Sequence, residues 1–209
     1  MRLGILGGTF DPPHLGHLLI AYDAVAALRL DTLVFIPVAQ QPLKVGRPTA
    51  PAEARLEMVR RMVAGLPQFA CDAIEVDRAA LSYTVDTLGE YARRYPSAVR
   101  FFLLGTDALQ TFPSWREPGR IAELAQLAVL QRADGQEGKA NANGSDHMDD
   151  AMARVREITG PDRAPVIVPT RRIDVSSTEI RDRVRAGLPL RGFTTDDVAR
   201  FIEASALYR

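Results

Sequence analysis

The chain opens on a short apolar run, Leu3 to Leu6, cut by Gly7-Gly8 and followed almost at once by a helix that starts near His14-Leu15-Gly16-His17. A second run, Thr32 to Val38, is β-branched and aromatic and comes directly after that helix. Strand, helix, strand at this spacing is a βαβ unit, which demands a parallel pair and a right-handed crossover. Ligands of such sheets sit at the carboxyl ends of the strands. Gly7 and Gly8 fall at that end, where they let the backbone turn tightly and approach a ligand.

The residues after the glycines suit anion handling. A helix N-terminus carries about half a positive charge and several free N–H groups. His14 and His17 stand three apart there, on one face, with Gly16 between them and Thr9 just upstream. Each imidazole can donate to a phosphate oxygen and can be charged near neutral pH. The plainer reading is glycines for a turn, prolines for a helix start and histidines as polar surface.

Composition narrows the class. With 209 residues, 46% hydrophobic and 25% charged, the chain has the size and make-up of one globular domain over 1–209. Twenty-six basic residues balance twenty-six acidic ones, so no global field favours nucleic acid or a membrane surface. The single cysteine, Cys71, excludes an internal disulfide framework and reads as a small core hydrophobe. With no signal-peptide pattern and no apolar run of about 18 residues, the expectation is a cytoplasmic protein.

The pattern of alternating elements continues. Glu53 to Ala64 carries Leu56, Val59, Met62 and Val63 at helical spacing, with Arg55, Arg60 and Arg61 read as its solvated face. Phe69 to Val76 reads as a third strand, and Ser82-Tyr83-Thr84 opens a helix to about Tyr95. Ser82 and Thr84 are good caps, while an exposed Tyr83 beside free helical N–H groups also suits a carboxylate pocket. Val99 to Gly105 is the most apolar strand, and Asp107 after it either caps the next helix or faces a ligand. Trp115, the only tryptophan, is either a core anchor or a stacking surface for a flat ring. Leu127 to Gln131 and Val166 to Val168 complete about six strands. Residues 133–150 are rich in Gly, Asn and Asp and read as a mobile surface loop, with a helix resuming at Met148. His147, Asp149 and Asp150 lie in it without metal-ligand spacing. The part from 174 to 209 reads as helical, with Ser176 and Glu179 forming a capping box and Thr194 with Asp197 another. Ser177, Thr178 and Arg181 at one helix start also make a phosphate clamp.

These motifs together resemble a known family. Gly-Gly-Thr-Phe-Asp-Pro-Pro-His-Leu-Gly-His at 7–17 is similar to the signature of the nucleotidylyltransferase superfamily, in the wording of bacterial nicotinate mononucleotide adenylyltransferases. Pro37, Pro42 and Lys44 match a family segment whose lysine helps bind phosphates. Ser-Tyr-Thr at 82–84 and Trp115 match segments associated with the pyridine end of the substrate. Gly105-Thr106-Asp107 matches a Gly-x-Asp near the nucleotide, although many relatives have a smaller middle residue. Val175-Ser176-Ser177-Thr178 with Arg181 matches Ile-Ser-Ser-Thr-x-x-Arg, which reaches the triphosphate.

The resemblance implies a Rossmann-like α/β three-layer sandwich with a mainly parallel sheet. It implies AMP transfer from ATP to nicotinate mononucleotide with release of pyrophosphate, with Mg2+ carried mainly by the ATP phosphates. His14, His17 and Lys44 would be catalytic. Gly7, Gly8, Thr9, Phe10, Gly105, Asp107, Ser177, Thr178 and Arg181 would join the histidines in binding ATP, and Ser82, Tyr83, Thr84, Trp115 and Lys44 would bind the second substrate. Three alternatives stay open: a relative acting on nicotinamide mononucleotide, one acting on phosphopantetheine, and a nucleotide binder without catalysis. A homo-oligomer is compatible with the sequence.

Overall fold

A computed structural model describes residues 1–39, 50–78, 81–132 and 142–209, with the side chains of 132 and 142–147 left aside. Lys44 and Pro42 lie outside the described residues, as do 133–141 of the expected loop. Six strands form one sheet: β1 (Arg2–Gly8), β2 (Thr32–Pro37), β3 (Phe69–Cys71), β4 (Val99–Gly105), β5 (Gln126–Arg132) and β6 (Val166–Thr170). Their order is β3-β2-β1-β4-β5-β6, with parallel pairing of β1 with β4, β2 with β3, β4 with β5 and β5 with β6. This is the Rossmann-like order expected from alternating strands and helices, and it reverses direction between β1 and β4. Strand β4 carries Phe101 to Leu104 buried in succession, as a central parallel strand covered on both faces must.

The helices are α1 (Leu15–Leu28), α2 (Ala52–Val63), α3 (Ile74–Arg78), α4 (Thr84–Arg94), α5 (Thr106–Thr111), α6 (Pro118–Leu124), α7 (Ala142–Thr159), α8 (Ser177–Arg185) and α9 (Asp196–Ala204). Among the described residues no helix is long and apolar enough to cross a membrane.

The chain divides into two compact units. The first comprises Met1–Leu6, Asp23–Asp31 and Tyr83–Arg172. Its core gathers Ile5, Leu88, Tyr91, Leu103, Leu109, Phe112, Ile121, Leu127 and Val155 around β4 and β5. The second comprises Gly7–Tyr22, Thr32–Ser82 and Ile173–Arg209. There Phe35, Met58, Val59, Ile180, Val198 and Ile202 form the core, α2 packs on α9, and Arg61 lies 4.9 Å over the Phe201 ring.

Four expectations need correction. The third strand stops at Cys71 because the Asp72 carboxylate accepts the Ile74 N–H at 3.0 Å, a turn that starts α3 in place of more strand. The helix expected from Met148 begins at Ala142, inside the stretch read as loop, and it buries Ala151, Met152 and Val155. Packing of that face overrides the weak propensity of the Asn and Gly at its start. Thr195, not Thr194, caps α9, accepting from Val198 N. Arg55 is not on a solvated face; it is 2% exposed.

Candidate active site

Helix α1 begins with an arrangement that explains the His-x-Gly-His spacing. His14 stands just before Leu15, and its backbone N–H donates to His17 Nδ1 at 3.2 Å. A side chain three residues into a helix reaching back to the cap N–H is half of a capping box, here made by imidazole in place of carboxylate. Because Nδ1 accepts, the His17 proton sits on Nε2, which is left to face a ligand. The two rings lie 3.7 Å apart, centroid to centroid. A Cβ on Gly16 would come within 2.8 Å of the His14 ring, so any other residue there would push that ring out of its place beside His17. His14 Nδ1 is buried and has no partner.

The electrostatics correct one reading of the sequence. Burial pushes His14 down to about 4. His17 is held well below its ordinary value by burial first and by His14 second. Without a ligand both rings are therefore neutral near pH 7 and act as hydrogen-bond groups, not as standing cations.

The turn ahead of α1 is fixed by a buried polar lattice in the second unit. Phe10 takes a φ of 48°, and its ring is buried edge-on to His17, 5.0 Å away, and to Phe35. The Phe10 side chain thus supports an imidazole from behind, which sequence reasoning had not seen. A Cβ on Gly8 would meet that ring at 2.8 Å. Arg55 spends its guanidinium on carbonyls, donating to Thr9 and Val38 at 2.8 and 2.7 Å, to Ala39 at 2.9 Å and to Ala50 at 3.0 Å. Asp11, 5% exposed, accepts from Ala50 N at 3.0 Å and from the Tyr208 hydroxyl at 2.7 Å.

The last motif reaches the same turn. Ser177 donates to the Pro12 carbonyl at 2.8 Å, and Arg181 donates to the Asp11 carbonyl at 2.7 Å and to Thr178 Oγ1 at 3.1 Å. Ser176 caps α8 by accepting from Glu179 N, as the sequence foretold. Thr194, read as a cap, instead donates its buried hydroxyl to the Pro13 carbonyl at 2.9 Å. Residues about 160 apart in the chain are thereby brought together: Thr9, Phe10, His14 and His17 with Ser177, Thr178 and Arg181. Ser82 belongs to the same unit, and its hydroxyl accepts from Ala39 N at 3.2 Å.

Tyr83, Thr84, Gly105, Asp107 and Trp115 belong to the first unit. Helix α4 has no side-chain cap, so capping does not account for Thr84. Helix α5 has none either, and Asp107 stands exposed in its first turn. Trp115 is half-buried, with its ring against Phe112 and edge-on to Phe102, and its indole N–H donates to Thr111 Oγ1 at 3.2 Å. The Arg116 guanidinium lies 4.8 Å over the Tyr83 ring. Among the described residues, no group of three or more His, Cys, Asp or Glu is placed to hold a metal ion. The donors around the α1 turn (imidazole N–H, hydroxyl, guanidinium) match phosphate oxygens.

Comparison with known proteins agrees with this geometry. Residues 5–183 match the cytidylyltransferase-like family model. A protein of Gemmatimonas aurantiaca described as "Probable nicotinate-nucleotide adenylyltransferase" is 44% identical over 100% of this chain and 93% of its own length. One of the same description from Thermus thermophilus is 39% identical over 100% of both. The fold matches that of the Plasmodium falciparum nicotinic acid mononucleotide adenylyltransferase complexed with NaAD, with a TM-score of 0.70 at 14% identity over 99% of this chain and 97% of that one. The same enzyme complexed with APC gives 0.69 at 15% identity, over 99% and 96% of the two chains. The chain therefore belongs to the nicotinate-nucleotide adenylyltransferases, nucleotidyltransferases of the cytidylyltransferase-like family.

Proposed function

We propose that this chain transfers AMP from ATP to nicotinate mononucleotide, giving deamido-NAD and pyrophosphate. The observation that carries the reading is the paired imidazoles at the start of α1, one with a free Nε2–H and one with a buried, unpartnered Nδ1. They are hydrogen-bonding groups held ready for an anion at the start of a helix. Family membership supplies the second support.

In this reading a phosphate oxygen of the mononucleotide attacks the α-phosphorus of ATP; the new P–O bond forms as the bond to the β-phosphate oxygen breaks. The attacking phosphate has a second pKa of about 6 and is ionised at neutral pH, so the step needs no general base. Catalysis is then positioning and charge stabilisation. His17 Nε2–H and His14 steady the phosphates, and an arriving polyphosphate raises both imidazole pKa values, so they gain charge as the ligand binds. Thr9, Thr178, Ser177, Arg181 and the backbone at Gly7 and Gly8 complete this group, with Lys44 assigned from its motif alone. Phe10 acts beneath His17. Mg2+ travels as part of the substrate on the ATP phosphates. Tyr83, Thr84, Trp115 and Ser82 are assigned to the nicotinate moiety, and Asp107 with Gly105 to the nucleotide. A cytoplasmic location is part of this reading, supported by substrates that are small charged nucleotides.

The test is pyrophosphate release with ATP and Mg2+, offering nicotinate and nicotinamide mononucleotides in parallel. Release that strongly favours the acid, and falls at least tenfold in His17→Ala with the fold intact by circular dichroism, is the expected result. Equal release from acid and amide would move the substrate to the wider pyridine class. Full activity in His17→Ala would remove the mechanism.

A further inference from the structure

The turn that aims the histidines makes little structure of its own. From Asp11 to Leu15 it is held almost residue by residue by the segment 177–208. The Asp11 carbonyl takes Arg181, the Pro12 carbonyl takes Ser177, the Pro13 carbonyl takes Thr194, and Leu15 N donates to the Phe193 carbonyl at 2.9 Å. The Asp11 side chain takes Tyr208. Four of these are contacts to backbone, which many sequences could supply. The Tyr208 contact differs, because it joins two side chains and sits in strained chain. Ala206 and Tyr208 have φ of 49° and 65°, a left-handed region that non-glycine residues occupy only when their surroundings hold them there. Burial, followed by the bond to Asp11, pushes the Tyr208 phenol well above its usual range, so it remains a proton donor at any working pH. Arg55, beside Asp11, ties the Thr9 carbonyl to that of Val38, just past β2, so Asp11 is clasped between that lattice and the tail.

We propose that Tyr208 is a positioning residue for the transfer reaction: its hydroxyl, acting through Asp11, holds the Asp11–His14 turn so that His14 N–H stays on His17 Nδ1 and His17 Nε2–H is presented to the phosphates. This rests on the reading that His14 and His17 hold the ATP phosphates. Loss of the hydroxyl frees one side of Asp11, and the turn gains freedom that the imidazole pair cannot absorb. The consequence is a slower chemical step, not weaker binding of the mononucleotide, whose pyridine is assigned to Ser82, Tyr83, Thr84 and Trp115, none of them a partner of Asp11 or Tyr208.

The full-length Tyr208→Phe variant tests this by two readouts. Steady-state kinetics should show kcat falling about tenfold with KM for nicotinate mononucleotide within twofold. Long-range 1H–15N correlation spectra should show His17 leaving the single Nε2–H tautomer for a mixture. Unchanged kcat and unchanged tautomer, or a lower Tm with neither altered, would overturn the positioning role. Should Tyr208→Phe fail to fold, Asp11→Asn keeps an oxygen acceptor while removing the charge. There kcat and tautomer must move together, and separate movement overturns the proposal. His17→Ala run alongside separates the two failures. If it is inactive while Tyr208→Phe matches the parent, only the positioning role falls; if it is fully active, the reading of the histidines falls with it.

Discussion

The imidazole cluster of the second unit and the aromatic cluster of the first are built by opposite means. Around His14 and His17 nearly every support is a buried or part-buried hydrogen bond: Arg55 on its carbonyls, Asp11 on Ala50 and Tyr208, Thr194 on Pro13. Around Tyr83 and Trp115 the supports are exposed or soft. Arg116, half exposed, stacks on Tyr83 and stands 3.9 Å from Asp86, while Trp115 leans on Phe112. A group that must meet charge developing in a transition state gains from donors that need not reorganise. A surface that receives a flat ring gains most from polarizable area, which tolerates small shifts. The contrast is therefore one of chemistry demanded, and three measurements probe it, from the largest effect to the smallest.

The first tests the rigid side. Arg55→Met keeps the apolar stem but strips the donors from the buried carbonyl of Ala50 and the part-buried carbonyls of Thr9, Val38 and Ala39. Leaving buried acceptors without donors should cost about 3–5 kcal/mol of unfolding free energy, read from urea denaturation. The matching change on the first unit's surface, Arg93→Ala on the exposed Glu90 pair, should leave the unfolding free energy nearly unchanged, since solvent screens the pair. If the two cost the same, the phosphate side is no more rigidly built than an ordinary surface.

The second tests the soft side. Trp115→Ala removes ring area while its neighbours Phe112 and Phe102 remain to hold the fold. KM for nicotinate mononucleotide should rise about tenfold, about 1.4 kcal/mol, with kcat within about threefold. An equal fall in kcat without any change in KM would mean that the aromatic cluster serves the chemical step, and the division of labour would collapse.

How much of this was legible in the sequence follows from the same contrast. The β1–α1 turn and a mainly parallel sheet of about six strands were readable, because glycines, capping residues and hydrophobic periods act locally, and the approach of the Ser177–Arg181 motif to the first turn was readable through the resemblance. The lattice beneath was not. Arg55 reads as a surface arginine until its position is counted: it shares a helical stripe with Met58, Val59 and Met62, all buried. That spacing was the available signal, outweighed by the habit of placing arginines in water. Tyr208 resembles part of the family's tail but carried no signal of a partner, since it lies past the last helical period, and only folding over 197 residues of separation brings it to Asp11. The start of α7 was lost for a related reason: local composition argued for a loop, and packing of Ala151, Met152 and Val155 overruled it.

The smallest effect sharpens the contrast through pH. His14 titrates near 4 in the fold against 6.5 when unfolded, and His17 is lowered too. A depressed imidazole pKa means that the unfolded chain binds the proton first as pH falls. The stability these rings contribute is thus whole above about 6.5 and drains away toward 4. Each unit of pKa shift is worth about 1.4 kcal/mol, and partial exposure of both rings returns most of it, so the expected loss is about 1 kcal/mol in all. Urea midpoints measured across this range should show the limb in the parent chain. The double variant His14→Asn, His17→Asn should lose most of it. Saturating ATP should shrink it as well, because the bound phosphates raise both pKa values toward their unfolded level. A limb that survives in the double variant would place the titration on carboxylates elsewhere, and the two imidazoles would then be ordinary solvated groups, not desolvated donors waiting for an anion.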